Sequence, residues 1–503
     1  MHHLYRYSLL AVTLAYIYFG SGVLETITLR PQSIHQWRQC DSASQALNYY
    51  QNQVSFLTPQ THTQTGKNGH AASEFPIIYY FVAKLYQLFG FHEYLFRLVN
   101  LLIFTAALVA IFSITQKFRI NACAGIIPVV MVGTSPYVFY YANNFLPNVP
   151  AIALIIIGWC FFSYYLTSGK RIQIVWAFFF FTLGSLIKIS ESISVVAACI
   201  VLAAGYFQLF SLNEISETWR KHGVLKLVLA ACCILCIIAW NQYAIWFNKA
   251  HGTGQNLLGM LPIWDISRQE AKDIFDRIRY DWSYAIFHRY EWYLFWTALA
   301  AFPFFYSRFN PLLRLITLLL FLGVCSYGML WFQAFYDHDY YMLTFIIFPF
   351  FLSLSWVEYL GRIIHLNKVF KLTSILFLAL TCGFLTNYSH KVQRNRYFKL
   401  KPYINTVLYS IEPYLRSIGV KRTDLVVSVP DSSPNVSLYL MNNPGWTEAF
   451  TDENYNINYF HAAGAKYLVI SDSSYITHPL YTPFAKHQIG YYRGISIYSL
   501  SNL

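Results

Sequence analysis

Long runs of apolar residues fill most of the chain, and short polar segments separate them. A helix needs about 20 apolar residues to cross a bilayer. Runs near that length predict spans at 6–27, 94–116, 122–142, 148–168, 172–190, 193–211, 224–247, 292–307, 313–333, 340–360 and 367–388. A shorter apolar helix at 76–90 is predicted to be a partial span or an interfacial segment. The pattern predicts a polytopic α-helical membrane protein with about 11 transmembrane helices.

The pattern changes near residue 389, where charged residues and Pro, Gly, Asn and Ser become frequent. Strand and helix patterns alternate beyond it, at 425–429, 436–441, 454–463, 467–470 and 489–500. This alternation is typical of a small α/β layer structure. We therefore predict a transmembrane domain at 1–388, which includes an outer loop at 28–93, and a soluble α/β domain at 389–503.

Composition and charge agree with this division, since 56% of the residues are hydrophobic and 12% are charged. Lys and Arg in short loops stay on the cytoplasmic side of a membrane, and their distribution here predicts an inner N-terminus and an outer C-terminal domain. The formal net charge of +13 follows partly from this bias and does not indicate nucleic-acid binding. Most cysteines lie within or beside predicted spans, so no disulfide framework is predicted.

Polar residues beside the spans fall almost entirely on the predicted outer side. Asp41 and Glu74 lie in the first outer loop, and Lys188 lies at the outer end of a span. The segment 248–291 and the turn 337–339 lie on the same side. Because ionised groups are costly at membrane depth, acids at the edge of a helical bundle usually serve chemistry. The sequence therefore predicts that the working surface is the outer face.

Three segments of the predicted outer side carry motifs. The first outer loop has Asp41 shortly after the first span and then Glu74-Phe-Pro76. Gly184-Ser-Leu-Ile-Lys188 ends a span, and His338-Asp-Tyr-Tyr341 lies in a late turn. These segments resemble the first outer loop, the lysine-bearing segment and the late loop of the GT-C membrane glycosyltransferases, in particular the glycosyltransferase family 39-like branch related to protein O-mannosyltransferases and the lipid A aminoarabinose transferase. Asn148 departs from the family, which often has Asp there.

The resemblance implies an inverting transfer of a hexosyl or pentosyl group from a polyprenyl phosphate donor to a glycan, lipid or protein acceptor. Such a reaction needs a base on the acceptor and positive charge on the departing phosphate. The resemblance and its position assign Asp41 as the base, and Glu74 is predicted to orient the acceptor, share a proton or help to hold a divalent cation. The alternative for Glu74 is an N-cap of the helix that begins near Pro76. The metal is left unassigned.

Other outer residues are predicted to bind substrate, and some of them have a structural alternative. They are Arg38, Lys188, Arg277, Arg279, His338, Asp339 and Tyr340. Lys188 could instead extend to the membrane surface or pair with Glu191. The arginines of 248–291 could bind anionic oxygens with their planar fork or pair with acids of their own segment, which are Glu270, Asp273 and Asp276.

Two other functions fit a polytopic protein with outer basic groups. A flippase or transporter should show charged or broken helices near the midplane and repeat symmetry, whereas the acids here cluster at one edge. A ligase or polymerase would transfer a whole glycan from a diphosphate-linked lipid, and only the resemblance separates it from the transferase. The resemblance also implies a bacterial inner membrane with a periplasmic C-terminal domain.

Overall fold

The computed structural model describes residues 2–208, 221–253, 259–363, 368–399, 404–449 and 457–501. The chain divides into two compact units. The helical unit comprises Met1–Ile27, Arg97–Trp240 and Gly259–Asn395. The sheet unit comprises Thr28–Phe96, Asn241–Leu258 and Arg396–Leu503. The first outer loop thus groups with the C-terminal residues, whereas our sequence-based division placed it in the transmembrane domain.

Long apolar helices belong wholly or partly to the helical unit. They are His2–Gly20, Tyr94–Lys117, Ala122–Thr134, Pro136–Ala142, Asn148–Ser168, Arg171–Ile187, Ser192–Tyr206, Gly223–His251, Arg289–Phe305, Pro311–Leu330, Ile347–Ile363 and Lys368–Arg394. Each predicted span overlaps one of these elements. Among the described residues, six helices are long and apolar enough to cross a membrane, or seven if the bent pair counts as one span. A helix satisfies its own backbone hydrogen bonds, which is what a lipid environment requires.

The predicted span 122–142 is broken in the middle. Its halves, Ala122–Thr134 and Pro136–Ala142, meet at an angle of 67°. Pro136 disfavours helical backbone at Ser135, and the Ser135 hydroxyl accepts a hydrogen bond from the Val138 amide at 3.3 Å. The second half therefore starts as a new helix with its own cap.

Two glycines allow the helices Asn148–Ser168 and Arg171–Ile187 to pack closely. A Cβ on Gly158 would lie 2.6 Å from the Phe181 ring, and one on Gly184 would lie 2.8 Å from the Ala151 carbonyl oxygen. Small residues commonly permit such approaches between membrane helices. Trp159 fills the adjoining core, with its ring centroid 5.3 Å from that of Phe181.

A five-stranded mixed sheet forms the core of the C-terminal part of the sheet unit. Its strands are β1 (Val426–Val429), β2 (Gly445–Thr447), β3 (Tyr467–Ile470), β4 (Gln488–Tyr492) and β5 (Ile495–Ser499), in the order β2-β1-β3-β5-β4. β1 pairs in parallel with β2 and β3, and β5 pairs antiparallel with β3 and β4. The short helices of this part are Glu412–Ser417, Val436–Met441 and Ile457–Ala462. The predicted α/β layer structure is confirmed, but the sequence analysis missed β2.

The first outer loop continues this sheet at its β2 edge. It contributes the helices Gln36–Gln51 and Ile77–Phe89 to the same unit. Thr63 forms a parallel bridge with Gly445. The Gln64 amide donates to the Gly445 carbonyl at 2.8 Å, and the Gly445 amide donates to the His62 carbonyl at 3.0 Å. The loop thereby covers an edge that would otherwise expose unpaired backbone groups.

We expect Gly445→Ala to destabilise the sheet unit, because its Cβ would lie 1.8 Å from the Val426 carbonyl oxygen. Backbone atoms of a paired strand cannot move aside, so the melting temperature should fall by several degrees. Gly361→Ala is the matched control, since nothing lies within 4 Å of its Cβ position. Equal melting temperatures for wild type, Gly445→Ala and Gly361→Ala in detergent would contradict the register described here.

Candidate active site

Helix Gln36–Gln51 carries the first group of predicted site residues. Its start is fixed by the buried Gln39 side chain, whose amide donates to the carbonyls of Gln32 at 2.7 Å and Ile34 at 2.9 Å. Arg38 and Asp41 are three positions apart and therefore share one face of the helix. The helix thus presents a guanidinium and a carboxylate side by side.

Glu74 is buried and paired rather than capping a helix. Its carboxylate accepts hydrogen bonds from the Arg38 guanidinium and from the Ser73 hydroxyl, the latter at 2.5 Å. The Tyr79 hydroxyl lies 3.5 Å from the same oxygen. The helix Ile77–Phe89 has Pro76 at its N-cap and no side-chain cap hydrogen bond. The geometry therefore favours the ion pair over the N-cap alternative for Glu74.

Asp41 is half-buried, and its neighbours shift its pKa in opposite directions. Burial raises its pKa to about 6, and the charge of Glu74 acts in the same direction. Arg38 and a hydrogen bond from the Asn435 side chain oppose this rise. Because a general base works best when its pKa lies near the ambient pH, Asp41 is suited to accept a proton.

Asn435 is a site residue that the sequence analysis missed. It precedes the helix Val436–Met441 and also donates to the Cys40 carbonyl at 3.4 Å. Asp431 fixes this segment by accepting hydrogen bonds from the Ser433 and Ser437 amides, both at 2.8 Å. No catalytic motif marks Asn435, since its partner lies in the first outer loop. Only the folded sheet unit brings the two segments together.

Lys188 and three aromatic residues form a second group, in the helical unit. Lys188 follows the helix Arg171–Ile187 as its C-cap. Its Nζ atom lies 5.9 Å from the Tyr340 ring centroid and 5.5 Å from that of Tyr341. The His338 ring stacks on Tyr340 at 5.3 Å. The structure thus brings the predicted residues Lys188, His338 and Tyr340 together, and it places the lysine ammonium against aromatic faces.

Asp339 lies beneath this group and is fully buried. Its carboxylate accepts a hydrogen bond from the Tyr141 hydroxyl, and its backbone carbonyl accepts one from the Tyr137 hydroxyl. The Asn148 side chain donates to the Tyr340 carbonyl at 3.2 Å. Through these hydrogen bonds, Asp339 and Asn148 stabilise the turn that carries His338 and Tyr340.

Glu191 is buried near the same turn. Its carboxylate accepts a hydrogen bond from the Thr344 hydroxyl at 2.7 Å. Thr344 in turn lies 2.9 Å from the Ser190 hydroxyl. These bonds connect the 3₁₀ turn Ile189–Glu191 to the 3₁₀ segment Asp339–Ile346. Glu191 therefore stabilises the packing of these two segments.

The predicted arginines of the segment 248–291 have local contacts within the helical unit. Arg277 pairs with Asp281 at 3.2 Å and lies over the Trp282 ring at 5.1 Å. Arg279 is exposed and lies over the Tyr280 ring at 5.3 Å. Glu270 forms a capping box with Ser267 at the start of helix Arg268–Arg277. The ion pair and the ring contact of Arg277 favour a structural role for this residue. Arg279 is exposed and can contact a ligand.

Metal ligands do not cluster in the part of the chain that the structure describes. There, no group of three or more His, Cys, Asp or Glu side chains is arranged to hold a metal ion.

Comparisons with known proteins identify the fold of the chain. A family model for dolichyl-phosphate-mannose-protein mannosyltransferase matches residues 70–240, about a third of the chain. ArnT from Cupriavidus metallidurans bound to undecaprenyl phosphate is similar over 98% of both chains, with 12% identity and a TM-score of 0.60. The fold is that of the GT-C membrane glycosyltransferases. The resemblance inferred from the sequence is thereby confirmed, and so is a membrane protein with apolar spanning helices.

Two further GT-C structures show how widely this fold is used. AftD, an arabinofuranosyltransferase from Mycobacteria, is 13% identical, with a TM-score of 0.57 over 98% of this chain and 40% of its own. The oligosaccharyltransferase AglB from Archaeoglobus fulgidus, in complex with an inhibitory peptide and a dolichol-phosphate, is 12% identical, with a TM-score of 0.55 over 93% of this chain and 69% of its own. No curated protein matches the sequence.

We expect Asp41→Asn to stabilise the protein at high pH. A carboxyl whose pKa is raised by folding favours the folded state below its unfolded pKa of about 3.9, and this advantage is lost as the pH rises through about 6. The variant should therefore melt several degrees above wild type at pH 8, and the difference should shrink towards pH 5. Asp265→Asn, which changes an exposed acid, is the control. A constant difference across this pH range would contradict the raised pKa.

Proposed function

We propose that the protein is an inverting glycosyltransferase that moves a single sugar from a polyprenyl phosphate donor to an acceptor at the outer face of a bacterial inner membrane. The observation that carries this proposal is Asp41, a carboxyl whose pKa is raised to about 6 within a chain of GT-C fold. The undecaprenyl phosphate bound to ArnT and the dolichol-phosphate bound to AglB support a lipid phosphate as the carrier of the sugar.

Asp41 acts as the general base. Its carboxylate takes the proton from an acceptor hydroxyl or amine while that nucleophile attacks the anomeric carbon. The bond between the anomeric carbon and the phosphate oxygen breaks, and its electron pair leaves with the phosphate. Asp41, whose pKa is raised to about 6, is the acid of this group that exchanges a proton with the acceptor, and Glu74 pairs with Arg38.

Glu74 and Asn435 act as positioning residues. Glu74 holds the Arg38 guanidinium beside Asp41, and Asn435 donates a hydrogen bond that favours the charged form of Asp41. Removing either residue should change the pKa of Asp41 and leave the identity of the base unchanged. Loss of Asn435 raises this pKa, whereas loss of the Glu74 charge lowers it.

Lys188 and His338 bind the phosphate of the donor in this proposal. A lysine ammonium is a compact charge suited to a phosphate oxygen, and positive charge on the leaving group stabilises the transition state. Tyr340 and Tyr341 hold the Lys188 ammonium in position. Asp339 is a positioning residue that fixes the turn carrying Tyr340 through hydrogen bonds from Tyr137 and Tyr141. Arg279, which is exposed, is a further candidate for an anionic oxygen of the lipid.

The deciding experiment compares sugar transfer by wild type and Asp41→Asn. Membranes with equal amounts of each protein are supplied with labelled polyprenyl phosphate sugars and acceptor lipids or glycans. We expect a loss of about a hundredfold or more in Asp41→Asn, as is typical when a general base is removed. Asp265→Asn should retain wild-type activity. Equal transfer by wild type and Asp41→Asn would refute the assignment of the base, and transfer only from diphosphate-linked glycans would favour the ligase.

The pH profile of transfer gives an independent test of this site. Wild-type activity should rise through about pH 6 and level off above it, because the base must be ionised. Asn435→Ala should move this rise to higher pH, since the hydrogen bond from Asn435 lowers the pKa of Asp41. An unchanged profile in Asn435→Ala would show that the hydrogen bond does not act on the base.

We expect Lys188→Gln to raise the KM for the donor by about tenfold, which corresponds to one charge-assisted hydrogen bond. Lys84→Gln is the matched control, because Lys84 also lies over a tyrosine ring, that of Tyr80 at 5.0 Å. Lys188→Arg should restore part of the affinity. A KM unchanged in Lys188→Gln would remove Lys188 from the donor site.

A further inference from the structure

An open crevice of about 650 Å³ lies at the carboxyl ends of the parallel strands in the sheet unit. Its described lining includes Asn405, Asp431, Glu448, Ser471, Asp472 and Tyr475. A volume of several hundred Å³ is typical of sites for small ligands. Asp431 also fixes the Asn435 segment of the candidate active site, and no residue with a proposed role in the transfer lines the crevice.

The strand order explains why a crevice forms at this point. The chain leaves β1 towards β2 on one side of the sheet and later returns to β3 on the other side. Ligands of open α/β sheets bind where the strand order reverses, beyond the carboxyl ends of the strands. Asp431 follows β1 by two residues, Glu448 follows β2 directly, and Asp472 follows β3 by two residues. Each parallel strand therefore delivers one carboxylate to the crevice.

The walls of the crevice are held by hydrogen bonds between the strand ends. The Glu448 amide donates to the Asp431 carbonyl at 3.0 Å, and the Ser471 amide donates to the Val429 carbonyl at 2.7 Å. The Asn405 side chain donates to the Ser471 carbonyl at 2.7 Å. These bonds fix the backbone segments that carry the carboxylates before a ligand arrives, which lowers the entropic cost of binding.

Tyr475 supplies a half-buried aromatic surface beside the carboxylates. Its ring stacks on Tyr481 at 5.7 Å and on His478 at 5.8 Å. The Tyr481 hydroxyl donates to Glu448 Oε1 at 2.7 Å. One rigid assembly therefore holds both an aromatic face and an acceptor of hydrogen bonds.

The charge of the crevice selects the class of ligand. Its described lining contains three carboxylates and no Lys, Arg or His, so a phosphate group would be repelled. Asp431 is already engaged by backbone amides and contributes charge rather than a contact. A ligand rich in hydroxyl donors, with C–H groups that can cover an aromatic ring, meets these conditions.

We propose that this crevice binds a saccharide, with Asp472 and Glu448 accepting hydrogen bonds from its hydroxyls and Tyr475 covering one face of the ring. The saccharide belongs to the acceptor glycan if the protein is a glycosyltransferase, so this assignment rests on the function proposed above. The C-terminal part of the sheet unit then recruits acceptors by their sugar rings. Its charge keeps the anionic donor lipid out of this crevice.

Saturation-transfer NMR on the full-length protein in nanodiscs tests the proposal without any donor. The probes are methyl glycosides of glucose, galactose, mannose and N-acetylglucosamine, with glucose 6-phosphate as the anionic comparison. The variants are Asp472→Asn, which keeps the turn-forming contact to Ser474, and Tyr475→Ala. Asp424→Asn is the control for loss of a carboxylate elsewhere in the sheet unit, because Asp424 lies next to the amino end of β1 and pairs with Lys466 at 2.8 Å. Thermal melting of each variant checks that it is folded.

We expect at least one neutral glycoside to give a signal with wild type and Asp424→Asn, and about a tenfold weaker affinity in Asp472→Asn and Tyr475→Ala. Glucose 6-phosphate should bind at least tenfold more weakly than its neutral counterpart. No glycoside signal, equal affinity in all folded variants, or preference for the phosphate would each overturn the proposal. Saccharide binding without sugar transfer would refute the transferase function alone, whereas transfer without saccharide binding here would refute this site alone.

Discussion

The proposed chemistry depends on one guanidinium that acts on two carboxylates. Arg38 forms an ion pair with the buried Glu74, and its charge also acts on Asp41. Burial raises the pKa of Asp41 to about 6 and outweighs the opposing charge of Arg38, and the charge of Glu74 adds to the rise. In the proposed reaction, this balance gives Asp41 a pKa close to the ambient pH, which suits a general base.

The fold was predictable from the sequence wherever long-range contacts were not needed. Apolar runs of spanning length mark helices whatever their neighbours are, so the predicted spans overlap helices throughout the described chain. The prediction treated 122–142 as one span, but the Ser135-Pro136 pair breaks it into two helices that meet at 67°. β2 was missed because three residues, Gly445–Thr447, carry too little pattern to identify a strand.

The candidate site was predictable only in part, for the same physical reason. Asp41 and Glu74 stood out because carboxylates beside apolar spans are rare. Asn435 could not be recognised, since its importance rests on a hydrogen bond between two segments that are far apart in sequence. Asp339 was predicted to contact substrate from a late-loop motif. The motif could not show that Asp339 is buried and accepts hydrogen bonds from Tyr137 and Tyr141.

The bridge between Thr63 and Gly445 has a consequence for the order of assembly. The first outer loop is synthesised early, but its partner strand β2 and the Asn435 side chain are made almost 400 residues later. Contacts of such separation are costly to form, because closing the chain between them loses conformational entropy. During biosynthesis the membrane helices can therefore insert before Asn435 reaches Asp41. In the proposed reaction, the hydrogen bond that favours the charged form of Asp41 is then gained only with the C-terminal sheet.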